Sequence, residues 1–184
     1  GNDVETFWSA LCAGTCGIGP ITKFDATDYP VKLAAEVREF DPRQYMEKLD
    51  ILHSDVYTHF AMAAACQAVA DSGIAGTLDA ERVGVYIGSG IGGIATFMTE
   101  HSKLLNRGPR RVSPYFIPMM IPNMASGMIA MRNHFHGPAM PMVTACASGT
   151  NAIGEALRLI RHGYADAMVA GGAEATVNAL AAAG

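Results

Sequence analysis

The sequence predicts an α/β fold with a mostly parallel central sheet, and three stretches of the chain carry this prediction. Residues 82–90 (RVGVYIGSG) are β-branched and apolar without clean alternation, which is typical of a central strand covered on both faces. Residues 141–145 and 165–172 also indicate strands, and the segment 148–163 between them has the pattern of a helix that ends at Gly163. Strands that alternate with a helix favour parallel pairing.

The composition indicates a folded, soluble chain. Its 184 residues are 50% hydrophobic and 16% charged, which is enough apolar material for a core. The net charge of -4 argues against a nucleic-acid-binding surface. No stretch approaches the roughly 18 uncharged apolar residues that a membrane helix needs. The cysteines fit no zinc or redox spacing, so we expect reduced thiols in a cytoplasmic protein: Cys12, Cys16, Cys66 and Cys146.

The first part of the chain predicts helices separated by turns. Residues 5–13 follow a helical pattern that Gly14 ends, and the Gly- and Pro-rich residues 14–22 indicate a turn. The stretches 41–49 and 54–73 are helical again. The second of them has small side chains nearly all round, so we expect it to be buried.

Prolines interrupt the segment 107–122, which therefore predicts irregular structure or short helices, followed by a helix near 123–134. The sequence contains no internal repeat, low-complexity tract or interdomain linker. We therefore expect one partial domain over residues 1–184.

Cys146 is the candidate nucleophile, because it lies between the predicted strand 141–145 and the predicted helix 148–163. Free backbone N–H groups and the positive end of the helix dipole favour a thiolate there, and the Cys146 N–H could donate to a thioester oxyanion. The neighbouring residues would let an acyl group approach closely: Ala145, Ala147, Ser148 and Gly149. A buried, unreactive thiol is the commoner fate of a single free cysteine, so position alone leaves both interpretations open.

The motif around Cys146 favours the nucleophile. Residues 143–175 (VTACASGTNAIGEALRLIRHGYADAMVAGGAEA) closely resemble the nucleophile region of condensing enzymes of the β-ketoacyl-[acyl carrier protein] synthase II type. The resemblance extends over nearly the whole chain, through residues 82–93, 108–127 and the opening GNDVETFW. It implies the thiolase-like fold, a layered α-β-α arrangement of which this chain is the first, nucleophile-bearing half, without the family's first strand.

The resemblance also implies an activity, namely decarboxylative Claisen condensation in fatty acid biosynthesis. The cysteine at the Cys146 position takes the acyl chain from acyl carrier protein, and malonyl-[acyl carrier protein] then decarboxylates and attacks the thioester. A homodimer is implied, and no cofactor. The family's two catalytic histidines and the lysine between them belong to its second half, so we expect the 184 residues alone not to condense malonyl units.

Other functions remain open beside this one. The chain could be a ketosynthase of a polyketide-type pathway, or a non-catalytic partner subunit such as a chain-length factor, although the presence of Cys146 argues against the latter. A thiol hydrolase or another thiolase-fold enzyme acting on coenzyme A thioesters is a further alternative. The ACASG sequence around Cys146 and the basic pair Arg110 and Arg111, which is of the carrier-binding type, argue against it.

Three more positions match the family pattern. Ile91 aligns with a residue that borders the acyl pocket near the dimer interface, the alternative being ordinary core packing. Arg110 and Arg111 align with basic residues that meet the acidic acyl carrier protein, the alternative being a solvated pair. The family's second basic docking cluster is replaced here by Leu52 and His53.

We expect structural and not catalytic roles for two carboxylates and one cysteine. Asp55 and Glu174 also match the family pattern, and we expect them to act in capping or buried hydrogen bonds rather than directly in the site. Cys66 lies on the Ala-rich predicted helix, so we expect it in the core.

None of the histidines lies in a motif like the family's catalytic ones, and we expect each in a surface or loop position: His53, His59, His101, His134, His136 and His162. The pair His134 and His136 has no clear third ligand, so we assign no metal.

Gly88, Gly90 and Gly93 match the G-x-G-x-x-G pattern of dinucleotide sites directly after a predicted strand. A Rossmann unit would also need an acidic residue about 20 positions on, at the end of a second strand, and the RRVSPYF region found there contains none. We therefore interpret these glycines as close-packing and turn residues.

Overall fold

The computed structural model describes all residues, 1–184, and these divide into two compact units. The smaller unit comprises Gly1–Asp41 together with Thr176–Gly184, and the larger unit is Pro42–Ala175. The larger unit contains the residues that the sequence analysis singles out as functional: Ile91, Arg110, Arg111 and Cys146. Each unit is described by itself.

The smaller unit begins with helix α1 (Val4–Cys12), which confirms the predicted helix. The Asp3 carboxylate starts it by accepting the Thr6 N–H at 2.7 Å. Strands β1 (Ile18–Pro20) and β2 (Leu33–Ala35) follow and pair antiparallel. Residues 14–22 are therefore not turn alone, because three of them form β1.

The larger unit is built on a parallel sheet of three strands, β3 (Val83–Gly88), β4 (Ala139–Met142) and β5 (Ala167–Gly172), in the order β4-β3-β5. All six residues of β3 are buried, which confirms the predicted central strand. Gly88 lies opposite Met142 on one side and Gly172 on the other, so the carboxyl ends of the strands lie at one edge of the sheet.

Strand β4 differs from the predicted strand 141–145. It begins two residues earlier, at Ala139, and ends at Met142. The strand cannot extend to Ala145, because that residue has φ +50° and opens a 3₁₀ turn over Ala145–Ala147.

Helices α2 (Lys48–Leu52) and α3 (Val56–Ser72) precede the sheet. The predicted helix 41–49 is wrong, because Pro42–Gln44 is a short 3₁₀ turn and α2 starts only at Lys48. Met46, between the two, is buried in the core instead. Helix α3 confirms its prediction, and it ends where Gly73 takes a left-handed φ of +65°.

Helix α4 (Ile94–Arg107) lies in a stretch for which the sequence analysis gave no element. After it come a 3₁₀ turn, Pro109–Arg111, and helices α5 (Phe116–Met120) and α6 (Met124–Asn133). The predicted alternation of prolines with short helices is confirmed. The core of the unit lies between α3, α6 and β3, and its largest fully buried side chains include Tyr57, Met62, Ile129, Val83 and Val85.

Helix α7 (Ser148–Arg161) connects β4 to β5 and packs against the sheet, which confirms the predicted strand, helix, strand unit. The last helix, α8 (Ala179–Ala183), belongs to the smaller unit, and the Asn178 side chain accepts the Ala181 N–H at its start. No helix in the chain has both the length and the apolar character needed to cross a membrane.

Candidate active site

Cys146 lies in the 3₁₀ turn between β4 and the first residue of α7, at the edge of the sheet where the parallel strands end. Its thiol is free and exposed in this chain. The alternative that Cys146 is a buried apolar residue of the chain is therefore wrong. An exposed thiol at the amino-terminal end of a 14-residue helix has the access that a nucleophile needs.

The backbone of this turn is unusual, because Ala145 adopts φ +50° although it is not glycine. A residue with a Cβ rarely occupies this left-handed region, and such residues concentrate at functional sites. The Ala147 N–H donates to Thr144 O at 3.1 Å, whereas the Cys146 N–H has no acceptor within the chain. The Cys146 amide is therefore free to donate to an incoming oxygen atom.

Glycine makes the close approach of this turn to the sheet possible. A Cβ atom on Gly88 of β3 would overlap the backbone of Ser148. A Cβ atom on Gly172 of β5 would lie 2.9 Å from the Gly149 Cα, which is closer than real contacts allow. The first turn of α7 thus rests directly on the backbones of two strands, and any side chain at these positions would displace it.

The other glycines of the G-x-G-x-x-G pattern also face backbone atoms. A Cβ on Gly90 would lie 3.0 Å from Glu174 Oε2 and 3.5 Å from Ala145 Cα, and one on Gly93 would overlap Met119 O. Both glycines thus lie against neighbouring protein atoms that leave little or no room for a side chain. This confirms the interpretation of these glycines as close-packing residues.

Glu174 links the end of β5 to the loop after β3. Its carboxylate accepts the Ser89 hydroxyl at 3.1 Å and the Gly90 N–H at 2.6 Å. The Ser89 hydroxyl oxygen in turn accepts the Gly92 N–H at 3.0 Å. The expectation of a hydrogen-bonding role for Glu174 is confirmed, but the residue is exposed and not buried. The loop that it holds carries Ile91.

Ile91 is 51% exposed in this chain. Ordinary packing in the chain's own core is therefore excluded for this side chain. Its neighbours Gly92 and Gly93 are buried against the end of α5, so the loop is fixed on one side while Ile91 points away from the core.

Asp55 has the structural role expected of it. Its carboxylate accepts the Tyr57 N–H at 3.3 Å at the start of α3, and it also accepts both the N–H and the hydroxyl of Thr96 on α4. These bonds join two helices in the interior, because Asp55 is 3% exposed.

Arg110 and Arg111 lie exposed in the 3₁₀ turn that follows α4, and neither forms a salt bridge. Buried Glu100 holds this segment, since it accepts the Ser113 N–H at 2.7 Å and pairs with Lys103 at 2.6 Å. The hydrogen bond from Lys103 is the main reason why the pKa of Glu100 lies below its ordinary value.

His53, at one of the positions where the family has its second basic cluster, stacks on Tyr115 with 3.7 Å between ring centroids. Leu52 beside it is exposed. His136 lies on the surface and pairs with Glu81 at 3.2 Å.

The expected degree of burial is wrong for two residues, His59 and Cys66. His59 is not a surface or loop residue but lies inside α3, 8% exposed, because its Nε2 finds Ile51 O at 3.2 Å and the Ser54 hydroxyl at 3.1 Å. Burial lowers the pKa of His59 from its ordinary value. Cys66 is only partly buried and is not a member of the core.

The family assignment follows from a match that covers the chain from end to end. The model of the family described as "Beta-ketoacyl synthase, N-terminal domain" matches residues 1–184. The chain belongs to this family.

This β-ketoacyl synthase chain is similar to "3-oxoacyl-[acyl-carrier-protein] synthase 2" of Coxiella burnetii, with 49% identity over 175 residues, 95% of the chain and 42% of the relative. Other curated relatives with the same name are 45% identical, and the chain covers 44% or 46% of their length. The chain thus spans less than half the length of these relatives.

Solved structures of ketosynthases confirm the thiolase-like fold. The ishigamide ketosynthase/chain length factor superimposes with a TM-score of 0.83 and 28% identity. The match covers 92% of the present chain and 43% of the chain in that structure. A type II polyketide acyl carrier protein in complex with its ketosynthase gives a TM-score of 0.72 and 25% identity. The match covers 79% of the present chain and 42% of the chain in that structure.

Sequence reasoning found the thiol of this ketosynthase chain but missed what holds it. Ser148 entered only as a small residue, whereas its hydroxyl is buried and hydrogen-bonded to both Thr144 and Ala145. A serine at the first position of a predicted helix signals local hydrogen bonding, and that signal could have pointed to it.

Proposed function

We propose that this chain is the nucleophile-bearing part of a 3-oxoacyl-[acyl-carrier-protein] synthase of fatty acid biosynthesis. The observation that carries the proposal is the exposed Cys146 thiol in the 3₁₀ turn that left-handed Ala145 opens before α7, beside its own unpaired N–H. The curated relatives named 3-oxoacyl-[acyl-carrier-protein] synthase 2 support the reaction class and the carrier substrate.

The first half-reaction uses groups that the chain contains. The Cys146 thiolate attacks the carbonyl carbon of acyl-[acyl carrier protein], and the Cys146 N–H donates to the oxyanion that forms. The carbon–sulfur bond to the carrier then breaks, and the carrier sulfur leaves as a thiolate that takes up the proton lost by the Cys146 thiol. The acyl chain remains on Cys146.

The second half-reaction consumes malonyl-[acyl carrier protein]. Loss of CO₂ leaves an enolate, whose carbon attacks the Cys146 thioester and releases the cysteine as a thiolate. The product is a 3-oxoacyl-[acyl carrier protein] two carbons longer. The family resemblance assigns the two histidines and the lysine of this step to the second half of the fold. We therefore propose that residues 1–184 alone accept an acyl group slowly and do not condense.

The proposed partner is an acyl carrier protein. Arg110 and Arg111 are exposed, unpaired and adjacent, which suits contact with an acidic carrier surface. A structurally similar ketosynthase was solved in complex with its own acyl carrier protein. A homodimer and a cytoplasmic location belong to the same proposal and rest on the family resemblance.

We also propose that residues 1–184 are the amino-terminal half of a larger ketosynthase domain. The curated relatives are more than twice as long as the chain. Helix α7 supports the proposal, because it exposes an apolar stripe with a spacing of four and then three residues: Ile153 (57%), Leu157 (47%) and Ile160 (40%).

A ketosynthase of a polyketide-type pathway is the second candidate. One structural neighbour, 25% identical, is a ketosynthase in complex with its type II polyketide acyl carrier protein, and another, 28% identical, is a ketosynthase/chain length factor. The Cys146 thiol favours a catalytic subunit over a non-catalytic partner in either pathway.

The test uses the full-length parent protein. Incubated with acyl-[acyl carrier protein], it should gain the mass of one acyl group at Cys146, and the Cys146→Ala variant should gain none. Cerulenin should label the same thiol. Added malonyl-[acyl carrier protein] should give one 3-oxoacyl product with a fatty-acid ketosynthase and repeated unreduced extension with a polyketide ketosynthase. Absence of acylation on Cys146 would contradict both candidates.

A further inference from the structure

The turn that carries Cys146 is closed by one buried hydroxyl. The Ser148 Oγ accepts the Thr144 N–H at 2.9 Å and donates to Ala145 O at 2.7 Å. Ser148 is 4% exposed, so water does not compete for these bonds. The hydroxyl therefore bridges the two residues that directly precede Cys146.

Ser148 itself is fixed to the sheet. Its backbone lies so close to Gly88 of β3 that a Cβ atom on that glycine would overlap it. The side chain of Ser148 thus reaches from an anchored backbone to the backbone of Thr144 and Ala145. A second side chain supports the same end of the turn, since Asn151 Nδ2 donates to Thr144 Oγ1 at 2.9 Å.

Ala145 needs such support, because its φ of +50° is unfavourable for any residue with a Cβ. Without an added restraint, the alanine would relax toward the ordinary right-handed or extended regions. A change in the Ala145 backbone would rotate the following peptide, which contains the Cys146 N–H. The orientation of that N–H and of the thiol therefore depends on the bonds from Ser148.

We propose that Ser148 is a positioning residue, whose hydroxyl holds Ala145 in the left-handed conformation and so aligns the Cys146 thiol and N–H with a thioester carbonyl. The proposal rests on the proposed function, because it concerns the acylation step. Ser148 exchanges no proton with the substrate and acts through the turn.

The first measurement is single-turnover acylation of the full-length parent protein by acyl-[acyl carrier protein], followed by intact mass. Ser148→Ala removes two hydrogen bonds, and we expect the acylation rate constant to fall about 10-fold or more. The carrier concentration at half-maximal rate should change less than about 2-fold, because the docking surface is untouched. Alkylation of Cys146 by iodoacetamide, which needs no oxyanion donor, should change far less than acylation.

The second measurement separates positioning from a general packing role. Glycine adopts a positive φ freely, so in an Ala145→Gly background the loss caused by Ser148→Ala should shrink to less than about 3-fold. Ser148→Thr keeps the hydroxyl and should retain the rate within about 3-fold. Circular dichroism and thermal unfolding establish that each variant is folded.

The outcomes are distinguishable. If the wild-type protein is not acylated, the proposed function fails, and the role of Ser148 fails with it. If the wild type is acylated but the loss caused by Ser148→Ala is equally large in the Ala145→Gly background, or is absent from both, the positioning role is overturned. Should Ser148→Ala not fold, a folded Ser148→Thr protein slowed more than about 10-fold would overturn it as well.

Discussion

The carboxylate of Asp55 accepts two hydrogen bonds from Thr96, one from its backbone N–H at 2.8 Å and one from its hydroxyl at 2.6 Å. Both residues are buried, at 3% and 7% exposure. Asp55 starts α3 and Thr96 lies in the first turn of α4. Through this pair the position of α3 determines where α4, and the loop with Ile91 before it, begins.

Replacing Asp55 by alanine should therefore destabilise the protein strongly. The N–H and hydroxyl of Thr96 would remain buried without an acceptor, and we expect the free energy of unfolding to fall by roughly 2–4 kcal/mol. Denaturant unfolding of the full-length parent measures this. The control is Asp71→Ala in the last turn of α3, which is exposed and should change the value by less than about 0.5 kcal/mol. Equal effects of the two substitutions would contradict the role of Asp55.

Gly88→Ala should lower the stability of the protein and slow the acylation of Cys146. The added Cβ would overlap the Ser148 backbone, which cannot move without displacing the turn. We expect a loss of roughly 1–3 kcal/mol and much slower acylation of Cys146. Ala68→Gly, at an exposed position inside α3, is the control because it costs about 1 kcal/mol through helix propensity alone and should leave acylation unchanged. Similar acylation rates in both variants would argue against the close contact.

The parts of the fold that sequence could predict are those with a strong local pattern. Strand β3 is apolar throughout, α7 is amphipathic between a motif and Gly163, and the motif around Cys146 is specific. Helix α4 was missed because it follows Gly92 and Gly93 and has no capping side chain at its start. Its position depends on the distant carboxylate of Asp55.

The end of β4 and the burial of His59 were not predicted for the same reason, because both depend on contacts that no local pattern shows. The end of β4 is set by the left-handed Ala145, which the bonds from Ser148 hold and no residue type in the sequence indicates. Histidine has only an intermediate preference for burial, so the position of His59 could not be predicted without its partners, Ser54 and the Ile51 carbonyl. Long-range and backbone contacts of this kind leave little trace in a local pattern.

The burial of His59 predicts a pH dependence of stability. Its ordinary pKa is 6.5, and burial lowers the pKa in the folded state. As the pH falls through 6.5 the unfolded chain therefore binds a proton that the folded chain does not, and the free energy of unfolding decreases until the lower, folded-state pKa is passed. The hydrogen bond with Ile51 O and, less strongly, the neighbouring charge of Asp55 oppose this shift but do not cancel it.

His59→Gln should remove this contribution, so its free energy of unfolding should depend less on pH than that of the wild type. Denaturant unfolding at several pH values on both sides of 6.5 measures the difference. His101→Gln changes an exposed histidine on α4 and serves as the control, with the pH dependence of the wild type. An unchanged slope in His59→Gln would show that the buried histidine does not titrate differently in the two states.

Ile91→Phe should shorten the acyl chains that the full-length enzyme accepts. Ile91 lies in a loop held by Glu174 and Ser89, and it is half-exposed rather than packed in the core. The family resemblance implies that Ile91 borders the acyl pocket, where a larger side chain would exclude long chains while leaving short ones. The ratio of kcat/KM for long and short acyl-[acyl carrier protein] substrates should fall about 10-fold or more, which corresponds to about 1.4 kcal/mol. A variant that kept its full preference for long chains would remove Ile91 from the pocket.

Charge reversal at Arg110 and Arg111 should weaken carrier docking without affecting the chemistry. Both side chains are exposed and unpaired, so their electrostatic effect acts on an approaching acidic partner. In the double variant Arg110→Glu/Arg111→Glu we expect KM for acyl-[acyl carrier protein] to rise about 10-fold, with a smaller effect at high salt because screening weakens the interaction. A small acyl thioester without the carrier should react as with the wild type.

Arg161→Glu, which reverses an exposed charge at the end of α7, is the control and should leave the reaction of both substrates unaffected. Equal losses for the carrier-bound and the small thioester would show that the two arginines act on the catalytic step, whereas a KM that rises for the carrier alone supports docking at the turn after α4.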